Sequence, residues 1–387
     1  MKILKLVFNQ THQGTYWRAY NFGKKLADRG HQVTLVATSR KSRWRVKEQS
    51  IGNLTLVEMP DLFSGPLRSG WDPWNILRRC LWLSRKNFDL VHAYESRPTV
   101  IFPALFAQSK GAKLVMDWCD WFGKGGSVEE RSNPFIRSVL RPVETFFEEH
   151  FRTRADGTTV ICSTLFHKAL ALGVQEETIL CLRNGADTER LSMLPLEESR
   201  DEMGLSRSIP VIGYVGTIFR QDAHLMISAF ERVLTQLPEA RLVISGYCSF
   251  DVRSAVSKPE NVIQTGFVED QRLNQSLAAC DLFWLPLCNS NANRGRFPYK
   301  LTDYMAVGRP VIATDVGDVP QVLAYGKFGI LSLDRPDSFA EHTLELLSSP
   351  HLMLAMGRCA RKLAETRFSW ETLTDELEVL YRNLLIH

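Results

Sequence analysis

Ile3-Leu-Lys-Leu-Val-Phe8, then Asn9-Gln-Thr-His-Gln-Gly14, then Thr15-Tyr-Trp-Arg-Ala-Tyr-Asn-Phe-Gly-Lys-Lys-Leu26 and, past Gly30, Gln32-Val-Thr-Leu-Val-Ala37 decide the fold class. An apolar run of strand length leads into a polar loop. Beyond the loop the apolar residues fall at helical spacing, Gly30 stops the helix, and a second apolar run begins. A strand, a crossover helix and another strand in that order make a parallel pair, and hence an α/β fold. The loop carrying Thr11, His12, Gln13, Gly14 and Thr15 then lies at a strand's carboxyl end, where doubly wound sheets bind ligands.

The same alternation continues outward. Strands are expected at 54–59, 90–93, 113–117, 157–161 and 178–182, and again at 210–215, 241–245, 262–265, 282–285 and 311–313. Between the two series lies a charged, proline-containing stretch, 195–208, that reads as a linker. At 387 residues the chain exceeds what one core usually serves. Two Rossmann-like domains are therefore expected, 1–195 and 209–368, with 369–387 as a C-terminal helix whose apolar residues allow it to pack back toward the first domain.

Composition narrows the function. Hydrophobic residues at 44% and charged residues at 23% are ordinary globular usage and exclude a disordered, collagen-like or polytopic membrane chain. The net charge of +4 hides an asymmetry: residues 1–184 hold 27 Lys and Arg against 17 Asp and Glu, and the remainder 20 against 26. The densest basic point is Arg40, Lys41, Arg43, Trp44, Arg45, Lys47, either a solvated loop or a surface for an anionic partner. Eight scattered cysteines form no Cys-x-x-Cys pair and read as reduced packing residues, with no metal site. The opening residues read as a first strand rather than a signal peptide, and no window approaches the roughly 18 to 20 apolar residues of a membrane span. The expected location is cytoplasmic, with any membrane contact peripheral, at the inner face.

The segment Asn291-Ala-Asn-Arg-Gly-Arg-Phe-Pro-Tyr-Lys-Leu-Thr-Asp-Tyr-Met-Ala-Val-Gly-Arg-Pro310 carries the chemistry. Pro298 at a first helical position and Gly308 past the end bracket a helix. Arg294, Arg296 and Lys300 crowd the end where the helix dipole is already positive, which costs stability unless an anion such as phosphate sits there. Lys300 and Asp303 share a helix face. Either they form a solvated surface pair, or they meet one ligand, Lys300 at phosphate oxygens and Asp303 accepting hydrogen bonds from ribose hydroxyls.

These residues resemble the retaining glycosyltransferases of the glycosyl group 1 family. The resemblance runs nearly end to end through Gly14-Thr-Tyr-Trp-Arg-Ala19, Asp89-Leu-Val-His92, Asn184-Gly-Ala-Asp187, Gly213-Tyr-Val-Gly216, Gly266-Phe-Val268, Lys300 to Ala306 and Gly308-Arg-Pro310. It implies the GT-B architecture, two Rossmann-like domains with parallel sheets facing a central cleft. It also implies an acceptor on the first domain and a nucleotide-diphosphate sugar on the second, as substrate rather than cofactor. Gly14 and Thr15 would approach the donor phosphates, as would Gly216 and Thr217. Gly246, Tyr247, Phe267 and Val268 would lie near the base, and Asp303 at the ribose. Retention implies front-face displacement, in which the leaving phosphate takes the acceptor proton and the protein stabilises departing charge without a metal.

Three departures from the family stand out. Its paired glutamates fall here on Gly295 and Asp303, leaving the sugar contact to Asn289, Asn291, Asn293, Arg294 or Arg296. Thr217 follows Gly216 directly, so that Arg220 is the one cation before Asp222. The loop after residue 116 carries Asp117 and Asp120 in place of a histidine. Either carboxylate positions an acceptor hydroxyl or caps a strand end, and Trp118, Trp121 or Phe122 stacks on a sugar. His12 and His92 read as structural or acceptor-side. Expected partners are a nucleotide sugar and a glycan, lipid-linked or small-molecule acceptor. The alternatives are a sugar-nucleotide epimerase of the same fold and a non-catalytic nucleotide-sugar binder. A nicotinamide dehydrogenase lacks its Gly-x-Gly-x-x-Gly turn after the first strand, and no nucleic-acid module is present.

Overall fold

The computed structural model describes residues 1–63, 70–218, 220–248 and 250–386, except for the side chains of 220–222, 270, 325 and 326. It divides into two compact units, Met1–Arg183 with Trp370–His387, and Asn184–Ser369.

The first unit is built on β1 (Lys2–Gln10), β2 (Gln32–Thr38), β3 (Lys47–Ile51), β4 (Leu54–Met59), β5 (Leu90–Tyr94), β6 (Lys113–Trp118), β7 (Gly157–Val160) and β8 (Ile179–Cys181). They pair in the order β3-β4-β2-β1-β5-β6-β7-β8. Every pair is parallel except β3 with β4. Strand β3, Lys-Glu-Gln-Ser-Ile, escapes the hydrophobic pattern because it is an edge strand with largely exposed side chains, and its Lys47 and Glu48 blunt that edge. The crossovers are α1 (Tyr16–Asp28), α2 (Pro73–Leu83), α3 (Pro98–Ser109), α4 (Pro134–Glu149) and α5 (Ser163–Ala171). Strand β1 is buried from Ile3 through Phe8, as a parallel strand covered on both faces must be.

The second sheet contains β9 (Val211–Val215), β10 (Arg241–Ser245), β11 (Val262–Gly266), β12 (Leu282–Leu285), β13 (Val311–Thr314) and β14 (Gly329–Ser332), all parallel, in the order β11-β10-β9-β12-β13-β14. Its helices are α6 (Leu196–Glu202), α7 (Arg220–Gln236), α8 (Asp270–Ala278), α9 (Asn291–Arg294), α10 (Tyr299–Ala306), α11 (Val319–Gly326), α12 (Pro336–Leu347) and α13 (Pro350–Thr366). One core packs Ile212, Ile244 and Trp284 of the sheet on Phe230 and Val233 of α7 and Phe339 of α12. The stretch read as a linker is instead ordered: it forms α6, whose buried Arg200 donates to Asp281 at 2.6 Å and to the Ala279 carbonyl.

The helix bracketed by Pro298 and Gly308 is shorter than expected. Pro298 is the residue that caps α10 rather than its first helical position, and α9 is separate. The residue before a proline avoids the helical region, which breaks the chain at Phe297. Gly308 closes the far end at φ +64°.

The C-terminal helix α14 (Trp370–Ile386) belongs to the first unit. Trp370 meets Phe22 of α1 edge-on at 4.9 Å, and Arg29 pairs with Glu371 and Glu378. Deeper, Tyr381 enters a buried polar network. Its hydroxyl meets His92 Nδ1 at 2.5 Å and accepts from Lys5, whose ammonium also donates to Tyr94 at 2.6 Å. His92 Nε2 meets Thr159, and Thr159 donates to Asp117. Burial holds the Lys5 and His92 pKa values well below their ordinary ranges. Fully buried and bonded at both ring nitrogens, His92 holds this network together and does not face the sheet edge.

Each sheet reverses its strand order once, at β1/β5 in the first and at β9/β12 in the second. These switch points leave a crevice between diverging loops at the carboxyl edge, where α/β sheets bind ligands.

Candidate functional site

At the second switch point a cavity of about 260 Å³ is lined by Gly216, Thr217, Arg296, Tyr299, Lys300 and Asp303, among others. Helix α10 is fixed there by Tyr304. The hydroxyl of this buried tyrosine accepts from the Val215 amide at 3.1 Å and donates to the Trp284 carbonyl, and its ring stacks on Phe283 at 4.0 Å. One helix is thereby clamped to both β9 and β12, and its half-buried first turn presents Lys300 and Asp303 at the edge. Lys300 Nζ donates to the Tyr214 hydroxyl at 2.5 Å and lies 4.3 Å from that ring's centre, while Tyr214 donates onward to the Thr217 carbonyl.

Asp303 sits in an unusual environment for a carboxylate. Burial pushes its pKa up to about 6, Asp187 adds to the shift, and Arg190, 3.8 Å away, opposes it together with Lys300. A carboxyl poised near neutrality in a recess with a cation on the same helix is a functional candidate on physical grounds.

The neighbouring loops meet closely. A Cβ at Gly246 would lie 2.6 Å from the Gly216 carbonyl oxygen, and Gly246 has φ +141°, so this crossing admits only glycine. Gly216 N donates to Ser245 O, and Gly246 N to Gly266 O. Beyond them, Tyr247 is 67% and Phe267 93% exposed, two aromatic faces left in solvent at the ends of β10 and β11, with Val268 half-buried. Arg296 lines the cavity and donates through Nε to Ala292 O. Arg294 is exposed, donates to Asn289 Oδ1 at 2.8 Å, and does not line it. Arg220 begins α7, but its side chain lies outside the described residues.

In the first unit, Gly14 has φ +53°, and a Cβ there would fall 2.6 Å from Asn9 Nδ2, so the loop after β1 folds tightly against its own strand. Thr15 is half-buried at the head of α1, and exposed His12, at φ +64°, rests against Tyr16 and Trp17. The expectation that Asp117 faces an acceptor does not hold. Its carboxylate is fully buried and receives both Nε and Nη2 of Arg18 at 3.0 Å, with Thr159 and Cys119 completing its partners. Burial alone would raise its pKa, but Arg18 outweighs that and brings it down to about 2, so at neutral pH it is an ionised structural group. Trp118 is equally buried, its indole N–H on Glu148, and cannot stack on a sugar. Half-buried Asp120, Trp121 and Phe122 remain at the edge.

The structure adds a residue that the sequence did not single out. Glu95, just past β5 at the first switch point, is buried at φ +67° and accepts the Cys119 amide at 2.9 Å. A positive φ outside glycine is a strained state that persists where the surroundings impose it, often at a site. Burial first, then Asp120, hold its pKa well above the usual carboxylate range. A larger recess of about 540 Å³ lies between Asp28, Gln32 and Thr55, at the amino ends of β2 and β4 and so away from the edge that α/β sheets use.

Residues 13–190 match the model described as Glycosyltransferase Family 4, and residues 209–349 the model described as Glycosyl transferases group 1. The chain is a group 1 glycosyltransferase. This glycosyltransferase is 22% identical over 375 residues to the N-acetyl-alpha-D-glucosaminyl L-malate synthase of Bacillus anthracis, covering 94% of this chain and 92% of that protein. It is 26% identical over 234 residues to the GDP-mannose-dependent monoacylated alpha-(1-6)-phosphatidylinositol monomannoside mannosyltransferase of Corynebacterium glutamicum, a match spanning 58% of this chain and 61% of that one. In fold it superposes on the Anabaena protein HepE in complex with UDP-glucose with a TM-score of 0.75 at 17% identity, over 99% of this chain and all of that one.

Proposed function

We propose that the second unit binds a nucleoside-diphosphate sugar in the β9/β12 cavity and that the enzyme transfers the sugar, with retention, to a glycan, lipid-linked or small-molecule hydroxyl held at the first unit's carboxyl edge. The observation that carries the reading is Lys300 and Asp303 on one clamped helix at a switch-point cavity. Lys300 and the positive end of α10 meet the diphosphate, Asp303 accepts from the ribose hydroxyls, and Tyr247 or Phe267 covers the base. As the bond from the anomeric carbon to phosphate oxygen breaks, charge grows on the diphosphate, and Lys300 stabilises it. The acceptor oxygen bonds the same carbon from the same face while its proton passes to the leaving phosphate. Asp120, half-buried at the edge, orients the acceptor hydroxyl, with buried Glu95 behind it. These cations are side chains, and the reaction proceeds without a metal. A nucleotide-sugar donor and a lipid-linked acceptor suit a cytoplasmic enzyme with peripheral membrane contact.

A thermal-shift panel of UDP, GDP, ADP, CMP and NAD with and without EDTA tests this. One nucleoside diphosphate at about 100 times its Kd should stabilise by roughly 2.7 kcal/mol, unaffected by EDTA and lost in Asp303→Ala. Stabilisation by NAD alone, or a shift retained by the variant, would refute the site.

The pH dependence follows from Asp303. Ribose hydroxyls donate to the ionised carboxylate, so below about pH 6 binding must first remove its proton. Affinity for the nucleotide sugar, whose phosphates do not titrate there, should rise about tenfold per pH unit up to about 6 and then level off. Asp303→Asn should bind weakly and show no such slope; the same slope in the variant would assign the titration elsewhere.

A further inference from the structure

Helix α4 has its amphipathic sense reversed. Phe135, Ile136, Val139, Val143 and Phe146 form one stripe and are all exposed, Phe135 by 77%, while the helix's Glu144 and Glu148 are turned inward. Arg131 holds Glu144 at 2.8 Å, and Glu148 accepts the Phe122 and Gly123 amides. A helix normally hides its apolar stripe and wets its carboxylates, so this one is anchored by its polar face to leave the apolar face free.

The apolar surface runs on toward the basic cluster. Phe147 of α4 meets Phe102 of α3 at 5.9 Å and Trp71, just before α2, at 5.4 Å. On α2, Trp74 donates its indole N–H to Arg43 O and meets Trp44, 65% exposed, at 5.7 Å. Around Trp44 the side chains of Arg40, Lys41, Arg43, Arg45 and Lys47 are all exposed. Aliphatic and aromatic side chains beside a band of cations match the chemistry of a bilayer surface rich in anionic headgroups.

We propose that this face, the outer stripe of α4 together with the Arg40–Lys47 loop, docks the enzyme on an anionic membrane. The inference rests on the peripheral contact proposed above and names the surface that makes it. Charge decides between a membrane and a second copy of the chain: self-association through this face would bring together two halves that each carry 27 basic against 17 acidic residues. An anionic bilayer complements that charge.

The test is co-sedimentation of the full chain with phosphatidylcholine vesicles containing about one-third phosphatidylglycerol, with pure phosphatidylcholine vesicles, and with no lipid. Binding is expected to the anionic vesicles alone and to weaken steeply as salt is raised from about 0.1 to 0.5 M. Phe135→Ser with Val139→Ser and Phe146→Ser should cut binding about tenfold or more, as should Arg43→Glu with Arg45→Glu. Phe135→Ser alone, at the most exposed position, serves if the triple variant folds poorly. No binding to anionic vesicles, equal binding by the variants, or a dimer in solution that the α4 substitutions dissociate without any vesicle binding would overturn the assignment. Nucleoside-diphosphate stabilisation of the same variants reports the donor site separately, so loss of one reading is distinguishable from loss of the other.

Discussion

Lys300→Ala is expected to weaken nucleoside-diphosphate binding on the order of 10- to 100-fold and to lower turnover by roughly 10²- to 10³-fold, while the melting temperature barely moves. The binding loss is that of a charge-assisted hydrogen bond, and the further loss in turnover reflects charge that appears on the leaving group only in the transition state. Stability is spared because the partner of Lys300 is not orphaned. The Tyr214 hydroxyl keeps its bond to the Thr217 carbonyl at 3.0 Å, and the lysine itself is only half-buried. Calorimetry with the nucleotide selected by the thermal-shift panel gives the first number and steady-state assay the second. Unchanged affinity with a lowered melting temperature would make Lys300 a structural strut for Tyr214.

Asp117→Ala is expected to do the opposite. Removing one member of a fully buried, doubly hydrogen-bonded ion pair leaves the Arg18 guanidinium without its counter-charge, at a cost of about 3–5 kcal/mol. For a unit of this size that lowers the melting temperature on the order of ten degrees. The native pKa of about 2 lies below the value near 4 of an unfolded aspartate, so the pair's stabilisation is complete above about pH 4 and fades as the pH falls toward 2. The gap between the thermal melts of wild type and variant should therefore narrow, without closing, from neutral pH to near pH 3. A variant of normal stability with a raised acceptor KM would return Asp117 to the acceptor site.

The contrast between these two residues shows what the sequence can convey. Lys300 and Asp303 are neighbours on one helix, so local spacing exposes their relation. Asp117 is paired with a residue far away in the chain, and only the completed sheet brings Arg18 to it. The same rule sorts the rest of the fold. Strands 54–59, 241–245 and 282–285 were readable to the residue because buried apolar residues dominate each of them. Strand β3 is polar at a sheet edge and β14 is only Gly-Ile-Leu-Ser, so neither carries a periodic signal. The strain at Glu95 is invisible in Tyr94-Glu95-Ser96, since a positive φ leaves no trace where the residue is not glycine. The reversed polarity of α4 is hidden for a related reason. Its pattern reveals an amphipathic helix, but not which face looks inward.

The hydroxyl of Tyr381 closes the cluster of Lys5, His92 and Tyr94, yet α14 is synthesised only after the whole of Asn184–Ser369. At ~5–20 residues per second the ribosome needs roughly ten to forty seconds to make that intervening stretch. Through that interval the nascent first unit carries a buried-type lysine and histidine with one partner missing and an uncovered flank on α1. The first unit can complete its packing only once α14 has been made, whichever of its other elements have folded by then.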